Sequence, residues 1–377
     1  MSHEFDRRGF LQGSAATVGV ALAGTALHGD HTGAQAAVPI QVPTVDRLSV
    51  RVVSDGSHDL FISGEAPKDV KVERVRILPP PRAKMTLKSD WGLSLLLESN
   101  KGAERRTHML DFGGSAEVLN NNIEMLDIDP AKINGLIVSH GHQDHFGGLI
   151  GMLNKHRAKM SPDLTLYSGG EENFCMRHTR TAKPGVYNEW GALDRRELAT
   201  HKVKVVLAEQ PVVIGGHAFT TGAIPRRSIE KVLPNTMVEF AMRADGLGCN
   251  AAHFTTAELQ GKIVPDEHVH EHATCVNVQD RGLVVISSCG HVGIVNSIAR
   301  AQEVSGVKKV HALMGGFHLA PAPKPYLDQV MAELKKIDVD YLFPMHCSGN
   351  NFINAAAALM PERLVLCTTG SQFTFGA

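Results

Sequence analysis

The 377-residue chain reads as an α/β protein. Three observations predict that class. β-patterned runs alternate with helical ones from residue 48 onward. Polar, chemistry-bearing residues stand at the ends of the apolar runs, where strands open into loops. Those residues are spread over both halves of the chain, which argues for one large domain whose halves meet at a shared site.

Taken in order, residues 48–53, 92–98 and 108–112 carry strand pattern, and 117–126 carries helical pattern, with Pro130 marking a break after it. Residues 136–138 form a short apolar strand, and 149–155 a helix. Further strands fall at 164–167, 203–206, 237–242, 273–278, 283–287, 309–314, 341–343 and 364–367, with later helices at 295–303 and 325–337. Two stretches, at about 168–196 and 226–272, fit the pattern poorly. Long irregular insertions in compact domains are commonly lids or binding loops, so the substrate pocket is expected beneath them.

The most informative run is Ser139-His140-Gly141-His142-Gln143-Asp144-His145, directly after Gly135-Leu136-Ile137-Val138. A strand ending at Val138 delivers His140 and His142 to one side, because extended chain alternates with period two. Asp144 and His145 come next, where the chain turns into a helix. Imidazole and carboxylate together suit Zn, with Fe or Mn also fitting, and two ligands from each part can serve one or two divalent ions.

His140-x-His142-x-Asp144-His145 resembles the H-x-H-x-D-H motif of the metallo-β-lactamase superfamily. Asp111-Phe112-Gly113 is similar to that family's aspartate-x-glycine after an early strand. Ile224-Pro225-Arg226, Cys289-Gly290-His291-Val292-Gly293-Ile294, Gly315-Gly316-Phe317-His318-Leu319 and His346-Cys347-Ser348-Gly349 resemble one branch. It is the branch typified by the archaeal 7,8-dihydropterin-6-methyl-4-(β-D-ribofuranosyl)aminobenzene-5'-phosphate synthase. The resemblance spans about residues 46–350. It implies a four-layer αββα sandwich, two ββα halves packed sheet to sheet. It also implies a metal-dependent hydrolase whose metal-bound hydroxide attacks an ester, lactone, amide or phosphoester, with Asp144 holding a metal and orienting the nucleophile.

Four side chains of one loop cannot enclose two ions, so distant ligands are required. His291, at the mouth of an apolar strand, is expected as one, and His346, after a late strand, matches the superfamily's last ligand histidine. The usual bridging aspartate is absent; Cys289 is open to metal ligation or to a plain buried thiol. Cys347 is expected to point elsewhere. His318 is a candidate catalytic hydrogen-bond donor to substrate or oxyanion, with a structural role equally open. His268, His270 and His272 are expected on one side of an extended segment; for His272, ligation, substrate contact and a solvated loop all fit. Arg226 is a candidate for an anionic substrate group, against a surface arginine.

The chain's start resembles a twin-arginine export signal: Asp6-Arg7-Arg8-Gly9-Phe10-Leu11, then no charge until Asp30, then Ala34-Gln35-Ala36 as a small-x-small cleavage site. Residues 1–36 are therefore expected as the signal, engaging the twin-arginine export machinery, and 37–377 as the mature domain, periplasmic or secreted. The signal is too weakly apolar for a stable membrane span. The whole chain carries 38 basic and 39 acidic side chains. Losing Arg7 and Arg8 with Glu4, Asp6 and Asp30 makes these equal, which gives no electrostatic reason for nucleic-acid or membrane binding; the expected partner is a small-molecule substrate. The six cysteines show no close-spaced framework, and whether any of them pair is left open. No G-x-S-x-G elbow competes as nucleophile. A pterin-linked synthase and a non-catalytic metal-binding protein are the alternative functions.

Overall fold

The structure is a computed structural model that describes residues 39–376 except 65, 76–80, 83–84, 257 and 260–262. The segment expected as an export signal, with its expected cleavage point, lies outside the described residues. Two sheets pack face to face. The first orders its eight strands Lys204–Leu207, Thr165–Ser168, Gly135–Val138, Glu104–Leu110, Ser94–Lys101, Arg47–Ser54, Gln372–Gly376 and Val70–Glu73. The second runs Val213–Ile214, Ala218–Thr220, Thr274–Val278, Gly282–Ile286, Val310–Gly316 and Tyr341–Met345, with Thr44–Val45 also paired to Thr274–Val278.

Period-two alternation builds the layers. Leu95, Leu97, Leu48, Val50 and Val52 point inward against Val276, Val284, Ile286, Met314 and Phe343 of the opposing sheet. Leu96, Val53 and Val138 point outward against Leu119, Ile123, Met152 and Leu153, from the helices Ala116–Met125 and Leu149–His156. On the other side, Leu283, Val285 and Leu313 meet Ile294–Ser305, Lys324–Ile337 and Gly349–Leu359 through Ile298, Val330 and Phe352. The result is the expected αββα sandwich.

Two expectations are corrected, and one open point, the pairing of the cysteines, is answered. The irregular stretches are not loops alone: Met176–Arg180 and Tyr187–Gly191 from the first pair with Met237–Glu239 and Val264–Pro265 from the second, making a third, four-stranded sheet. Its strands are short and non-local: only Met237–Glu239 falls in a run, 237–242, that carries strand pattern, and the other three show no periodicity by themselves. Residues 364–367 form no strand, only a single bridge from Leu364 to Leu342; the closing strand is Gln372–Gly376, between Arg47–Ser54 and Val70–Glu73. Cys175 and Cys249, 74 residues apart, form a disulfide that ties the two insertions together. Wide spacing hid the pairing, because disulfide geometry depends on Cα proximity rather than on sequence distance.

Candidate metal centre

The site opens where the strand Gly135–Val138 ends. Asp111, fully buried at φ 56°, accepts hydrogen bonds from the Ser139 N–H (2.8 Å), the Ser139 hydroxyl (2.7 Å) and His145 Nδ1–H (2.7 Å). Ser139 Oγ has donated its proton to Asp111, so it accepts from His140 Nδ1–H at 2.9 Å. One carboxylate thus fixes two tautomers, and both His140 and His145 turn an Nε2 lone pair toward the site. Within this loop Gly141 leaves no room for a side chain: a Cβ there would come within 2.6 Å of the Asn173 carbonyl.

His346 brings its Nε2 to 3.3 Å from His145 Nε2 and 3.2 Å from Asp144 Oδ2. That N···N separation is what two nitrogens adopt when both bond one tetrahedral ion at about 2.0–2.1 Å. Burial works against the charge on His346, yet the Cys347 thiolate and Asp144 raise its pKa to about 9. Burial likewise works against Asp144, but His145 and His346 hold it well below the usual carboxylate range.

A second group gathers on the insertion side. His140, His142 and His291 present ligand atoms within 4.8 Å of one another, as do His142, Asp266 and His268. His142 Nε2–H donates to Thr236 Oγ1 at 2.8 Å, and that hydroxyl donates to Asp266 at 3.2 Å. His268 and His291 stack in parallel with centroids 3.8 Å apart. Burial, then the neighbouring imidazoles, pushes His140 and His291 well below the ordinary histidine value; burial does the same to His268. These rings are therefore neutral, with lone pairs available.

The donor set fits divalent metal. His140 Nε2, Asp144 Oδ1, His346 Nδ1, His318 Nε2 and both ring nitrogens of His268 and His291 are buried without a hydrogen-bond partner among the described residues. Leaving such atoms unsatisfied costs about 1–3 kcal/mol each, so a buried group of this size calls for a ligand. Local backbone strain converges here as well: among the described non-glycine residues at positive φ are Asp111, His268, His318 and His346.

A sulfur edge flanks both groups. Cys289 shares a potential ligand position with His140 and His145, and another with His318 and Cys347. Contrary to the expectation that it points away, Cys347 Sγ lies 3.1 Å from Cys289 Sγ. Burial opposes ionisation of both thiols; the Cys289 hydrogen bond and His346 lower the pKa of Cys347, whereas Cys289 is held protonated. Glu271 accepts the N–H groups of Gly290, His291 and Val292, clamping the loop that carries Cys289 and His291.

The structure therefore brings His140, His142, Asp144, His145, His291, His346 and Cys289 together, with His318 at their edge, its ring 4.1 Å from His291. Two candidates stand apart. His272 is buried, but its Nε2–H donates to the Val138 carbonyl and it joins no ligand group among the described residues. Arg226 pairs with Glu267 at the surface. The segment 268–272 is also not extended as expected: His268 sits at φ 50° and the Glu271 N–H closes a turn onto its carbonyl, so the three histidines diverge. Sequence reasoning gave no role to Asp266, which lies in an irregular stretch with no local signal, or to the buried Arg177 that holds it at 2.8 Å.

Comparison with known proteins agrees with this geometry. The Metallo-beta-lactamase superfamily model matches residues 98–159, the segment that carries the histidine loop. The solved structure of a metal-dependent hydrolase of the β-lactamase superfamily superposes with a TM-score of 0.61 at 20% identity, covering 86% of this chain and 98% of that one. The chain has the metallo-β-lactamase superfamily fold. It is also distantly related to the 7,8-dihydropterin-6-methyl-4-(beta-D-ribofuranosyl)-aminobenzene-5'-phosphate synthase of Methanocaldococcus jannaschii, at 28% identity over 272 residues, 69% of this chain and 82% of the relative. An uncharacterised protein of the same archaeon is 24% identical over 279 residues, 73% of this chain and 90% of that relative.

Proposed function

We propose that this protein is a metal-dependent hydrolase acting on an ester, lactone, amide or phosphoester, with zinc as the first-choice metal. The observation that carries the reading is the convergence of buried imidazole nitrogens, those of His140 and His145 fixed in tautomer through Ser139 and Asp111, on an ionised Asp144. His140, His142 and His291 would hold one ion, and Asp144, His145 and His346 a second, with Cys289 between them. Bound ions would supply electrophilic polarisation and activation of water near neutral pH. The chain's own contribution is preorganisation. Asp111 locks His140 and His145, Thr236 and Asp266 lock His142, and Glu271 locks the Cys289–His291 loop. His318 Nε2 lies where it can hydrogen-bond a substrate oxygen. Metal analysis with a panel of esters, lactones, amides and phosphodiesters tests the reading. Stoichiometric metal with turnover of one class is expected, and a fully loaded protein that turns over none overturns it.

The relation to the archaeal synthase supports a second reading, the joining of a pterin to a ribosylated aminobenzene. Product formation from those two reactants, with the hydrolysis panel silent, would favour it. Metal binding with neither activity would leave a non-catalytic metal protein.

The same proposal places the mature chain in the periplasm or outside the cell. Arg7-Arg8 and the segment after it support that address, as does the Cys175–Cys249 disulfide, since such bonds persist in oxidising compartments. Replacing both arginines by lysine should retain folded precursor in the cytoplasm; unchanged export would overturn the address.

A further inference from the structure

The chain contains two tryptophans, and both lie against the metal centre. Trp91 contacts the ring of His346 with centroids 4.9 Å apart, and Trp190 contacts His142 at the same distance. Between them runs an unbroken series of ring contacts, His346 to His145 (4.9 Å), His145 to His140 (4.2 Å) and His140 to His142 (4.6 Å). Each proposed metal position thus has its own indole at one end of the row.

Neither indole is placed by core packing. Trp91 is 60% exposed, although its backbone is tightly held. Asp90 before it accepts hydrogen bonds from Ser54 (2.9 Å) and Ser115 (2.8 Å), and Gly92 after it packs so closely that a Cβ would meet the Gly114 nitrogen at 2.4 Å. A rigid backbone presenting a large exposed ring is a preorganised contact surface, because little entropy is lost when a ligand covers it.

Trp190 reaches the site by a β-bulge. In the pairing of Met176–Arg180 with Tyr187–Gly191, Arg177 opposes Gly191 and His178 opposes Glu189, so Trp190 is the extra residue. Bulges of this kind re-aim a side chain and are frequent beside active sites. The adjacent Gly191 lies against Gln143 of the histidine loop, where a Cβ would sit 3.0 Å from the amide oxygen. The third sheet is thereby pinned to the metal loop with its indole turned toward His142.

We propose that Trp91 and Trp190 are specificity-determining residues, and that the substrate carries a planar aromatic group which stacks on them while its reactive polar group lies over the histidine row. The chemistry that selects such a ligand is the indole face, which attracts flat π-systems in offset or tilted contact beyond simple area burial. The proposal deepens the hydrolase reading and rests on it for the position of the reactive group.

The test uses binding without turnover. Zinc-loaded protein is titrated with 2-naphthoate and with decahydro-2-naphthoate, which share the carboxylate and approximate size but differ in π character. Because the two indoles are the chain's whole tryptophan content, intrinsic fluorescence reports on this site. The expected result is quenching by 2-naphthoate and an affinity about five- to tenfold above the saturated probe. That preference should be lost in Trp91→Ala and in Trp190→Ala and kept in the Trp→Phe variants, with melting curves showing that each variant folds. Equal binding of the two probes by the wild type, binding of neither, or an unchanged preference in both alanine variants overturns the proposal. Turnover in the ester, lactone, amide and phosphodiester panel is scored separately. Hydrolysis without aromatic preference sinks the ring assignment alone, and aromatic preference without hydrolysis sinks the hydrolase reading alone.

Discussion

Two short segments each carry three histidines, and the molecule uses them in opposite ways. In 139–145, the three rings converge, because one carboxylate, Asp111, organises the loop from below and Ser139 relays that hold to His140. In 268–272, the rings diverge. His268 joins a candidate ligand group with His142 and Asp266, the His270 ring accepts the Glu172 N–H at 3.1 Å, and His272 donates to the Val138 carbonyl. The contrast shows that histidine density is weak evidence of ligation unless the backbone conformation and the outer hydrogen bonds are known. A left-handed φ at His268 was enough to defeat the alternation that extended chain would have given.

The sharpest way to break this comparison is at Asp144, where the first segment is committed most fully. Asp144→Asn should leave the fold intact and lower hydrolysis by at least about a hundredfold, since an amide supplies neither the charge for a second ion nor a firm orientation for the reacting water. Metal content and kcat measured together check this; unchanged turnover at full metal content would refute the role. Chelation should likewise lower Tm, because ions bound only by the native state stabilise it by mass action.

Much of the first segment's importance was legible because its ligands are local. A strand, a turn and a helix start set their spacing; the alternating strands marked an α/β class, and the resemblance of the motifs implied the sandwich. The features that escaped are non-local. Asp266 reaches His142 from 124 positions away in sequence, Cys175 finds Cys249, and the third sheet forms only when short strands from two separate insertions meet. Gln372–Gly376 was missed although Phe373 and Phe375 alternate, because so short a run at the chain's end carries few periods to read.

The second segment is tested by His268→Ala beside Asp266→Asn. Both lie outside the histidine loop, and loss of such supporting contacts typically costs about 10–100-fold in metal affinity or activity. Asp266 also neutralises the buried Arg177: burial alone would raise its pKa, but the Arg177 guanidinium holds it well below the carboxylate norm. Asp266→Asn should therefore destabilise the third sheet as well as weaken metal binding, whereas His268→Ala should affect chiefly the metal. Competition with a calibrated chelator separates these; equal wild-type affinity in both variants would show that the histidine loop works without the insertions.

A smaller effect at the site is expected from Cys175→Ser with Cys249→Ser. The disulfide closes a long loop, so its removal should cost about 2–4 kcal/mol of stability in denaturant unfolding. Metal affinity should fall by less than about tenfold, because the side chains that align His142 are still present. A larger loss would mean that the staple, rather than the Arg177–Asp266 pair, fixes the third sheet over the metal.

The smallest effect is assigned to His270→Ala, and it decides whether the divergence of the second segment is real. The ring sits beside Gly170 and takes one backbone hydrogen bond, while the His270 N–H donates independently to Glu172 Oε2 at 2.9 Å. Truncation removes the ring's bond and keeps the backbone one, so about 1 kcal/mol of stability should be lost. Metal stoichiometry and affinity should match the wild type, in contrast to His268→Ala two positions earlier. Loss of an ion from the His270 variant, measured by metal analysis after gel filtration, would return that ring to the cluster and make 268–272 a second convergent segment after all.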